Sequence, residues 1–270
     1  MSLSSSSSLP RVAFVPHNER GRDFIVGDLH GCRRDLEVLL LAAGFNPTKG
    51  DRLFSTGDLI DRGPDSLGCL KLLKQSWFYA VLGNHEQMLI NAVESGDDEA
   101  VALSVANGGG WALGMLLKQD PELQTYARVL KQLPHVLAVG PGTPQRYNIV
   151  HAALLRSPVG LSLYTDAEID AKLVEADAYA VERLIWSRTL AEQAGQAALQ
   201  RQGPTWRAGL SLTYCGHNPV PHPVVYESHC HIDTGAGYEG NVDVGREDSG
   251  VAMRLTVAEH NGGNPVFYTR

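Results

Sequence analysis

The stretch Gly57-Asp58-Leu59-Ile60-Asp61-Arg62-Gly63 places two carboxylates three residues apart and an arginine directly after the second one. The run 51–56 before it predicts a short buried strand, and the run 63–66 after it predicts a turn into a helix. The charged residues therefore follow a strand, at the edge of an α/β sheet where binding sites form. Charges packed this closely need neutralisation, which a bound divalent cation and an anionic substrate would supply.

Two further segments repeat this design, F-I-V-G-D-L-H-G at residues 24–31 and Y-A-V-L-G-N-H-E at residues 79–86. Each has an apolar strand, a glycine, and then side chains that can bind a metal. The series Gly-Asp-x-His, Gly-Asp-x-x-Asp-Arg-Gly and Gly-Asn-His-Glu resembles the three-part signature of the calcineurin-like metallophosphoesterases. The Asp-Arg-Gly ending resembles the phosphoprotein phosphatase family of serine/threonine phosphatases, in particular its small bacterial and bacteriophage members. The motifs extend over residues 24–235, which is most of the chain.

The order of predicted elements indicates the fold class. Three strand–helix units come first, with strands at 23–27, 52–56 and 77–82 and helices at 32–43, 65–75 and 86–94. Further strands are predicted at 11–16, 135–139, 147–150, 210–215, 224–226, 230–233 and 251–257, and a further helix at 189–202. This pattern favours an α/β fold in which a two-sheet β-sandwich core is flanked by helices. The resemblance implies that this is the calcineurin-like metallophosphoesterase fold.

A helical insert is predicted in the middle of the chain, at 101–133, with breaks at 107–110 and at Pro121. The resemblance implies that this insert walls one side of the substrate cleft. Its segment Asn107 to Trp111 is similar to an Asn-Gly-Gly-x-Trp stretch of phage-type relatives, to which we assign no chemistry. The serine-rich residues 1–10 are expected to form a disordered tail, and residues 11–270 a single catalytic domain.

Composition limits the classes of partner. The net charge of −7 and the pI of about 5.8 argue against a broad nucleic-acid-binding face, so anion binding must come from local arginines and metal. The sequence has no apolar run of membrane-spanning length and no signal-peptide pattern. Its four cysteines lack paired spacing, which is typical of reduced thiols and a cytoplasmic location. No regulatory tail is visible, so a monomer is the expected state.

The resemblance implies a centre of two divalent metal ions. Asp28 and His30 would bind the first ion, and Asp58 would bridge both. Asn84, His151 and His217 would bind the second ion. Oxygen and nitrogen ligands without thiolates suit manganese, with iron or zinc as the other candidates. For His151 and His217 the alternative is an ordinary capped histidine at the end of a strand.

The resemblance also implies the reaction. His85, paired with Asp61, would act as the general acid toward the leaving alkoxide. Arg62, Arg188 and Asn84 would bind the phosphoryl group, because guanidinium groups match phosphate oxygens. Metal-bound hydroxide would attack directly, without a phospho-enzyme, and the sequence contains no Cys-x5-Arg loop for a cysteine-dependent route.

The leading function is therefore a metal-dependent protein serine/threonine phosphatase that also accepts tyrosine phosphate and small aryl phosphates. The alternative enzyme is a symmetrical bis(5'-nucleosyl)-tetraphosphate hydrolase. In that related family, the position that corresponds to Asp61 is typically alanine, and an aspartate stands in place of Glu86. The aspartate at position 61 therefore favours the phosphatase. A non-catalytic scaffold is the third hypothesis, and the intact ligand set argues against it.

Two cysteine-containing segments leave other interpretations open. Cys32 follows the first metal loop and begins a helix, so its thiol could be activated, but a small buried filler is the simpler explanation. His229-Cys230-His231 alternates along a strand, and plain sheet structure is favoured over a metal site.

Overall fold

The computed structural model describes residues 12–154, 165–175, 178–238 and 253–270. The predicted tail at 1–10 lies outside this range, and so does the start of the strand predicted at 251–257. Among the described residues no helix has both the length and the apolar character needed to cross a membrane.

The first half of the chain repeats strand and helix. Its elements are strand β1 (Val12–Val15), strand β2 (Asp23–Val26), helix α1 (Arg33–Ala42), strand β3 (Arg52–Ser55), helix α2 (Ser66–Leu70) with the 3-10 turn Lys71–Lys74, strand β4 (Phe78–Ala80) and helix α3 (Asn84–Ser95). Helix α3 begins two residues earlier than predicted, so the metal-loop residues Asn84 and His85 lie in its first turn.

The insert consists of helix α4 (Asp98–Ala106), the 3-10 turn Gly109–Ala112, helix α5 (Leu113–Leu117) and helix α6 (Pro121–Leu130). It breaks where the sequence predicts, for two local reasons. Gly108 adopts a left-handed backbone with φ 102°, which ends α4. Asp120 caps α6 by accepting the N–H of Glu122, and Pro121 occupies the first helical position.

The second half is rich in strands. Its elements are strands β5 (Val136–Val139) and β6 (Tyr147–Val150), helices α7 (Asp166–Glu175), α8 (Ala178–Trp186) and α9 (Thr189–Leu199), and strands β7 (Thr213–Cys215), β8 (Val224–Tyr226), β9 (His229–His231), β10 (Thr256–Glu259) and β11 (Val266–Thr269). The sequence did not predict β11, which is a mostly exposed edge strand with little alternation to reveal it.

The strands form two mixed sheets. One has the order β1-β5-β6-β7-β9-β8, and the other has the order β11-β10-β2-β3-β4. Strands β2, β3 and β4 are parallel neighbours, so their carboxyl ends share one edge of the second sheet. Strands β6 and β7 are also parallel, in the first sheet. These are the strands that precede the predicted metal loops.

The core lies in layers on both faces of each sheet. Ile25 and Phe54 point between the sheets, where they join Tyr147 and Tyr214 of the other sheet in one buried cluster. Their strand neighbours point outward and pack beneath the helices: Phe24, Val26 and Leu53. Since strand side chains alternate in direction, a strand covered on both faces must be apolar throughout. The predicted two-sheet sandwich flanked by helices is confirmed.

A buried polar contact fixes the two sheets relative to each other. Asp23 on β2 accepts two hydrogen bonds from Arg52, each 2.7 Å long. The same carboxylate accepts the hydroxyl of Tyr147, from the facing sheet, at 2.8 Å. Charge-assisted bonds of this kind are short and directional, so they set the offset of the sheets on which the site depends.

Candidate active site

The loops that carry the predicted site residues converge at one end of the sandwich. Asp28 and His30 follow β2, the Asp58 to Arg62 loop follows β3, and Asn84 and His85 begin α3 after β4. The facing sheet contributes His151 after β6 and His217 after β7. Five separate loops therefore meet around Asp58, although they span about 190 residues of sequence.

Asp58 lies at the centre of this group. Its Oδ2 is 3.7 Å from Nε2 of His30, and its Oδ1 is 3.5 Å from Nε2 of His151. The backbone N–H of His85 donates to Oδ1 at 3.0 Å and orients the carboxylate. The two oxygens thus face two different clusters, which is the arrangement that a bridging ligand requires.

Two clusters have donor atoms close enough to hold an ion. The first comprises His30, Asp58 and His85, and the second comprises Asp58, His151 and His217, with the ligand atoms in each within 4.8 Å of one another. Asp28 lies beside them: His217 donates its backbone N–H to Oδ2 of Asp28 at 2.9 Å. The structure brings together all the residues predicted as metal ligands.

The second cluster contains a contact that a cation would resolve. Asn84 Oδ1 lies 2.8 Å from Nε2 of His151 and 2.9 Å from Nδ1 of His217. His151 donates its Nδ1–H to the carbonyl of Thr56 at 2.8 Å, and burial lowers the pKa of His151 to about 4. The neutral ring therefore turns a lone pair on Nε2 toward a lone pair of Asn84. A metal ion bound by both atoms would fit this donor set.

In the first cluster, too, a backbone carbonyl fixes the tautomer of a histidine. His30 donates its Nδ1–H to the carbonyl of Ile60 at 2.8 Å, so Nε2 carries the lone pair that faces Asp58. Arg62 donates to that lone pair through Nη1. Backbone carbonyls thus select the metal-binding tautomer of both histidines, which is how surrounding groups prepare a metal site.

Burial makes the charges of the site costly without a cation. Burial raises the pKa of Asp58 to about 8 and holds the pKa of Asp28 well above its ordinary value, with Asp233 as the second cause for Asp28. Burial also lowers the pKa of His30 and His85. Two buried carboxylates among neutral imidazoles favour a bound divalent cation, since the cation stabilises the ionised oxygens.

We expect the metal-free protein to lose stability as the pH rises from about 7.5 through 8. Asp58 and Glu86 have folded-state pKa values of about 8, far above their ordinary values, so stability is lost as they ionise. The site histidines have lowered folded-state pKa values and are almost entirely neutral in both states above about pH 7.5, so they do not oppose this trend there. Thermal unfolding in EDTA over this pH range measures the effect.

Saturating manganese is the control, because a cation bound by Asp58 would favour the ionised form of Asp58 and of the neighbouring Glu86, and should flatten the slope. An unfolding temperature of the metal-free protein that stays constant or rises over the same pH range would contradict the prediction.

His85 and Asp61 form a buried pair. Nδ1–H of His85 donates to Oδ2 of Asp61 at 2.7 Å, and Nε2 of His85 points toward Oδ2 of Asp58 at 3.8 Å. The other oxygen of Asp61 accepts the indole N–H of Trp111 at 2.7 Å. The structure therefore places an imidazole over the centre, with its Nδ1 held by the carboxylate of Asp61.

The two predicted arginines occupy different environments. Arg62 is half-buried, and its guanidinium stacks 4.2 Å from the ring centre of Tyr238. Arg188 is exposed and precedes α9. Burial is the main cause that lowers the pKa of His217, and the positive charge of Arg188 contributes to the same shift.

The structural role of Glu86 was not predicted from the sequence, where this residue served only as a difference from a related family. The buried carboxylate accepts backbone N–H groups of Asp58 at 2.8 Å, Leu59 at 2.8 Å and Gly83 at 3.0 Å. It thereby joins the second and third motif loops. The sequence signal was an acidic residue at the third helical position, where a carboxylate can reach back to loop amides.

Backbone strain is concentrated at the site. Among the described residues, nine other than glycine have positive φ, and five of them are site residues: His30, Asp58, Asp61, Arg62 and His217. Such conformations cost free energy and persist only where the surrounding contacts enforce them.

Glycines leave room for the ligands. A Cβ on Gly83 would lie 2.2 Å from Oδ1 of Asp58, and one on Gly216 would lie 1.9 Å from Oδ1 of Asp28. Both distances are far below van der Waals contact, so the glycine in each loop is a steric requirement of the carboxylate beside it.

Comparison with known proteins agrees with this geometry. The family model described as calcineurin-like phosphoesterase matches residues 24–189. The chain is 31% identical over 223 residues to serine/threonine-protein phosphatase 1 of Salmonella typhimurium, which covers 83% of this chain and 90% of the relative. It is 52% identical over 69 residues to the symmetrical bis(5'-nucleosyl)-tetraphosphatase of Photorhabdus laumondii, which covers 25% of each protein.

Among solved structures, a protein serine/threonine phosphatase from Saccharomyces cerevisiae superposes with a TM-score of 0.58. The two are 15% identical, and the match covers 96% of this chain and 83% of the other. This similarity supports the fold of the chain and carries no information about its substrate.

Proposed function

The chain belongs to the calcineurin-like phosphoesterase family, and we propose that within it the protein is a metal-dependent serine/threonine phosphatase that hydrolyses phosphate monoesters. One observation carries the proposal: the His85–Asp61 pair, 2.7 Å apart, which faces the clusters around Asp58. A serine or threonine alkoxide is a poor leaving group and needs a proton as it departs. A phosphoanhydride leaving group has much less need of one.

The metal ligands would be Asp28, His30 and Asp58 for one ion, and Asp58, Asn84, His151 and His217 for the other. Two divalent ions there would polarise the phosphoryl group and lower the pKa of a water that serves as the nucleophile. We propose manganese, with iron or zinc as alternatives, because the donors are oxygens and imidazole nitrogens.

Side chains of the protein would bind the phosphoryl group and supply the proton. Arg62, Arg188 and the amide of Asn84 would bind and orient the phosphoryl oxygens, since planar guanidinium groups match them in pairs. His85 would hold a proton on Nε2, on the side of the leaving oxygen. Asp61 would fix the ring and stabilise its charged form against the burial that lowers the pKa of His85, so that His85 can release that proton.

A symmetrical bis(5'-nucleosyl)-tetraphosphatase is the second candidate, because a relative with that name shares 52% identity over a quarter of the chain. The phosphatase is preferred for two reasons. The relative named serine/threonine-protein phosphatase 1 aligns with 83% of this chain. An acid pair such as His85–Asp61 has its main use with an alkoxide leaving group.

The substrates would be phosphoproteins or small phosphate esters, without nucleic acid or membrane partners, and the protein would act as a cytoplasmic monomer. All four cysteines lie in the described part of the chain and none is in a disulfide, which suits a reducing compartment.

A substrate panel tests the proposal. Purified protein, stripped of metal and reloaded with manganese, is assayed on a phosphoserine peptide, p-nitrophenyl phosphate and diadenosine tetraphosphate. We expect kcat/KM to be highest for the phosphopeptide among the biological substrates, and all activity to be lost in EDTA. Much faster cleavage of diadenosine tetraphosphate would establish the second candidate. A lack of manganese-stimulated hydrolysis of any substrate would favour a non-catalytic scaffold.

A further inference from the structure

We propose that Trp111, in the 3-10 turn between α4 and α5, is a positioning residue for the acid pair. Its indole N–H would hold the carboxylate of Asp61 in the orientation that His85 needs. The inference rests on the proposed function, in which His85 protonates the leaving oxygen. It assigns a chemical part to the Asn107 to Trp111 segment, which the sequence alone left without one.

Both oxygens of Asp61 have a dedicated donor. Trp111 Nε1–H donates to Oδ1 at 2.7 Å, and His85 Nδ1–H donates to Oδ2 at 2.7 Å. The backbone N–H of Asp61 is held by the hydroxyl of Ser66 at 2.9 Å. Rotation of the carboxylate about its Cβ–Cγ bond would break both side-chain bonds, so the indole fixes the plane in which His85 is held.

The same turn also holds the neighbouring arginine. The carbonyl of Gly108 accepts the backbone N–H of Arg62 at 3.2 Å. A Cβ on Gly108 would lie 2.8 Å from Cγ of Arg62, so the turn packs directly against this side chain. Asp61 and Arg62 have positive φ values of 74° and 65°, and contacts from both sides are needed to keep them there. The insert thus supports two consecutive site residues, one through Trp111 and the other through Gly108.

The ordinary alternative is that Trp111 only fills space, since it is half-buried and packs against the core beneath the insert. Trp111→Phe separates the two possibilities. Phenylalanine keeps an aromatic ring in the same place and removes the N–H. A residue that only packs would lower the activity on all esters alike, whereas a residue that acts through the acid would matter most when the leaving group is poor.

The experiment compares phenyl phosphate, which has a poor leaving group, with p-nitrophenyl phosphate, which has a good one. We expect Trp111→Phe to lower kcat for phenyl phosphate by about 10-fold to 100-fold and to lower kcat for p-nitrophenyl phosphate by less than about threefold, with KM little changed for both. Trp206→Phe, at an indole that is 50% exposed, is the matched control and should leave both rates as they are.

A double-mutant cycle tests the route of the effect. In the Asp61→Ala background, Trp111→Phe should cause no further loss on phenyl phosphate, because the indole has no carboxylate to hold. Equal losses on the two esters, or a full additional loss in the Asp61→Ala background, would overturn the inference.

A measurement on the metal-free protein is independent of activity. The His85 Nδ1–H proton in a short bond to a carboxylate should give a downfield NMR resonance, assigned by its loss in His85→Asn. We expect this resonance to shift or broaden in Trp111→Phe and to stay in place in Trp206→Phe. An unchanged resonance would overturn the inference. Absence of hydrolysis in the unmodified protein would instead overturn the proposed function, while this resonance still reports on the contact.

Discussion

Replacing His85 with asparagine is expected to lower kcat for a phosphoserine peptide by about 10²-fold to 10⁴-fold, the range for loss of a general acid. Asparagine keeps the backbone N–H that orients Asp58 at 3.0 Å, and His85 is outside the set proposed to bind metal. The variant should therefore retain its manganese while it loses the proton donor that faces the leaving oxygen. The loss should be smaller for p-nitrophenyl phosphate, whose leaving group needs less protonation.

Steady-state kinetics on both substrates, with metal content measured on the same samples, checks this expectation. The matched control is His222→Asn, because His222 is an exposed histidine outside the site. Near-normal turnover of the phosphopeptide by His85→Asn would remove His85 from the mechanism. Loss of manganese in that variant would mean that His85 supports the metal centre instead, which its place in the first cluster allows.

Replacing Gly83 with alanine should weaken manganese binding by about 100-fold, the upper end of the effect of disturbing groups around a metal site. The new Cβ would lie 2.2 Å from Oδ1 of Asp58 and 2.6 Å from Oε2 of Glu86, so both carboxylates would have to move. The backbone of Gly83 has φ −94° and ψ 171°, which alanine adopts freely. The effect is therefore one of crowding, with an added loss of stability of about 1–3 kcal/mol.

Titration calorimetry with manganese measures the first effect, and thermal unfolding in EDTA measures the second. The control is Gly114→Ala in α5, where a Cβ would meet no atom within 4 Å. That variant should bind manganese normally. Unchanged manganese affinity in Gly83→Ala would mean that Asp58 is not a ligand, and the proposal for both ions would fail with it.

The sequence was sufficient to predict the loops after β2, β3 and β4, because each motif is local. An apolar strand, a glycine and a polar loop lie within about eight residues, and the strands pair as parallel neighbours. The predicted family rests on the same local motifs, and the match of the family model to residues 24–189 confirms it. His151 and His217 are a harder case, because each is a single histidine after a strand. Only the pairing of β6 with β7 and the facing of the two sheets bring them to Asn84.

The hydrogen-bond partners of Trp111 and Glu86 could not be predicted from the sequence, for a physical reason. The bond from Trp111 to Asp61 spans 50 residues and depends on how the insert folds back over the second motif loop. Glu86 accepts hydrogen bonds from backbone N–H groups, which every residue except proline possesses, so no side-chain pattern identifies its partners. Contacts of this kind support a site without resembling one in the sequence.

The positive φ angles at His30, Asp58, Asp61, Arg62 and His217 have an evolutionary consequence. Each such residue costs about 1–3 kcal/mol, so the fold gives up stability at these five positions. A population of variants passaged for heat resistance alone should accumulate glycine at these positions and lose hydrolysis as it gains thermal tolerance.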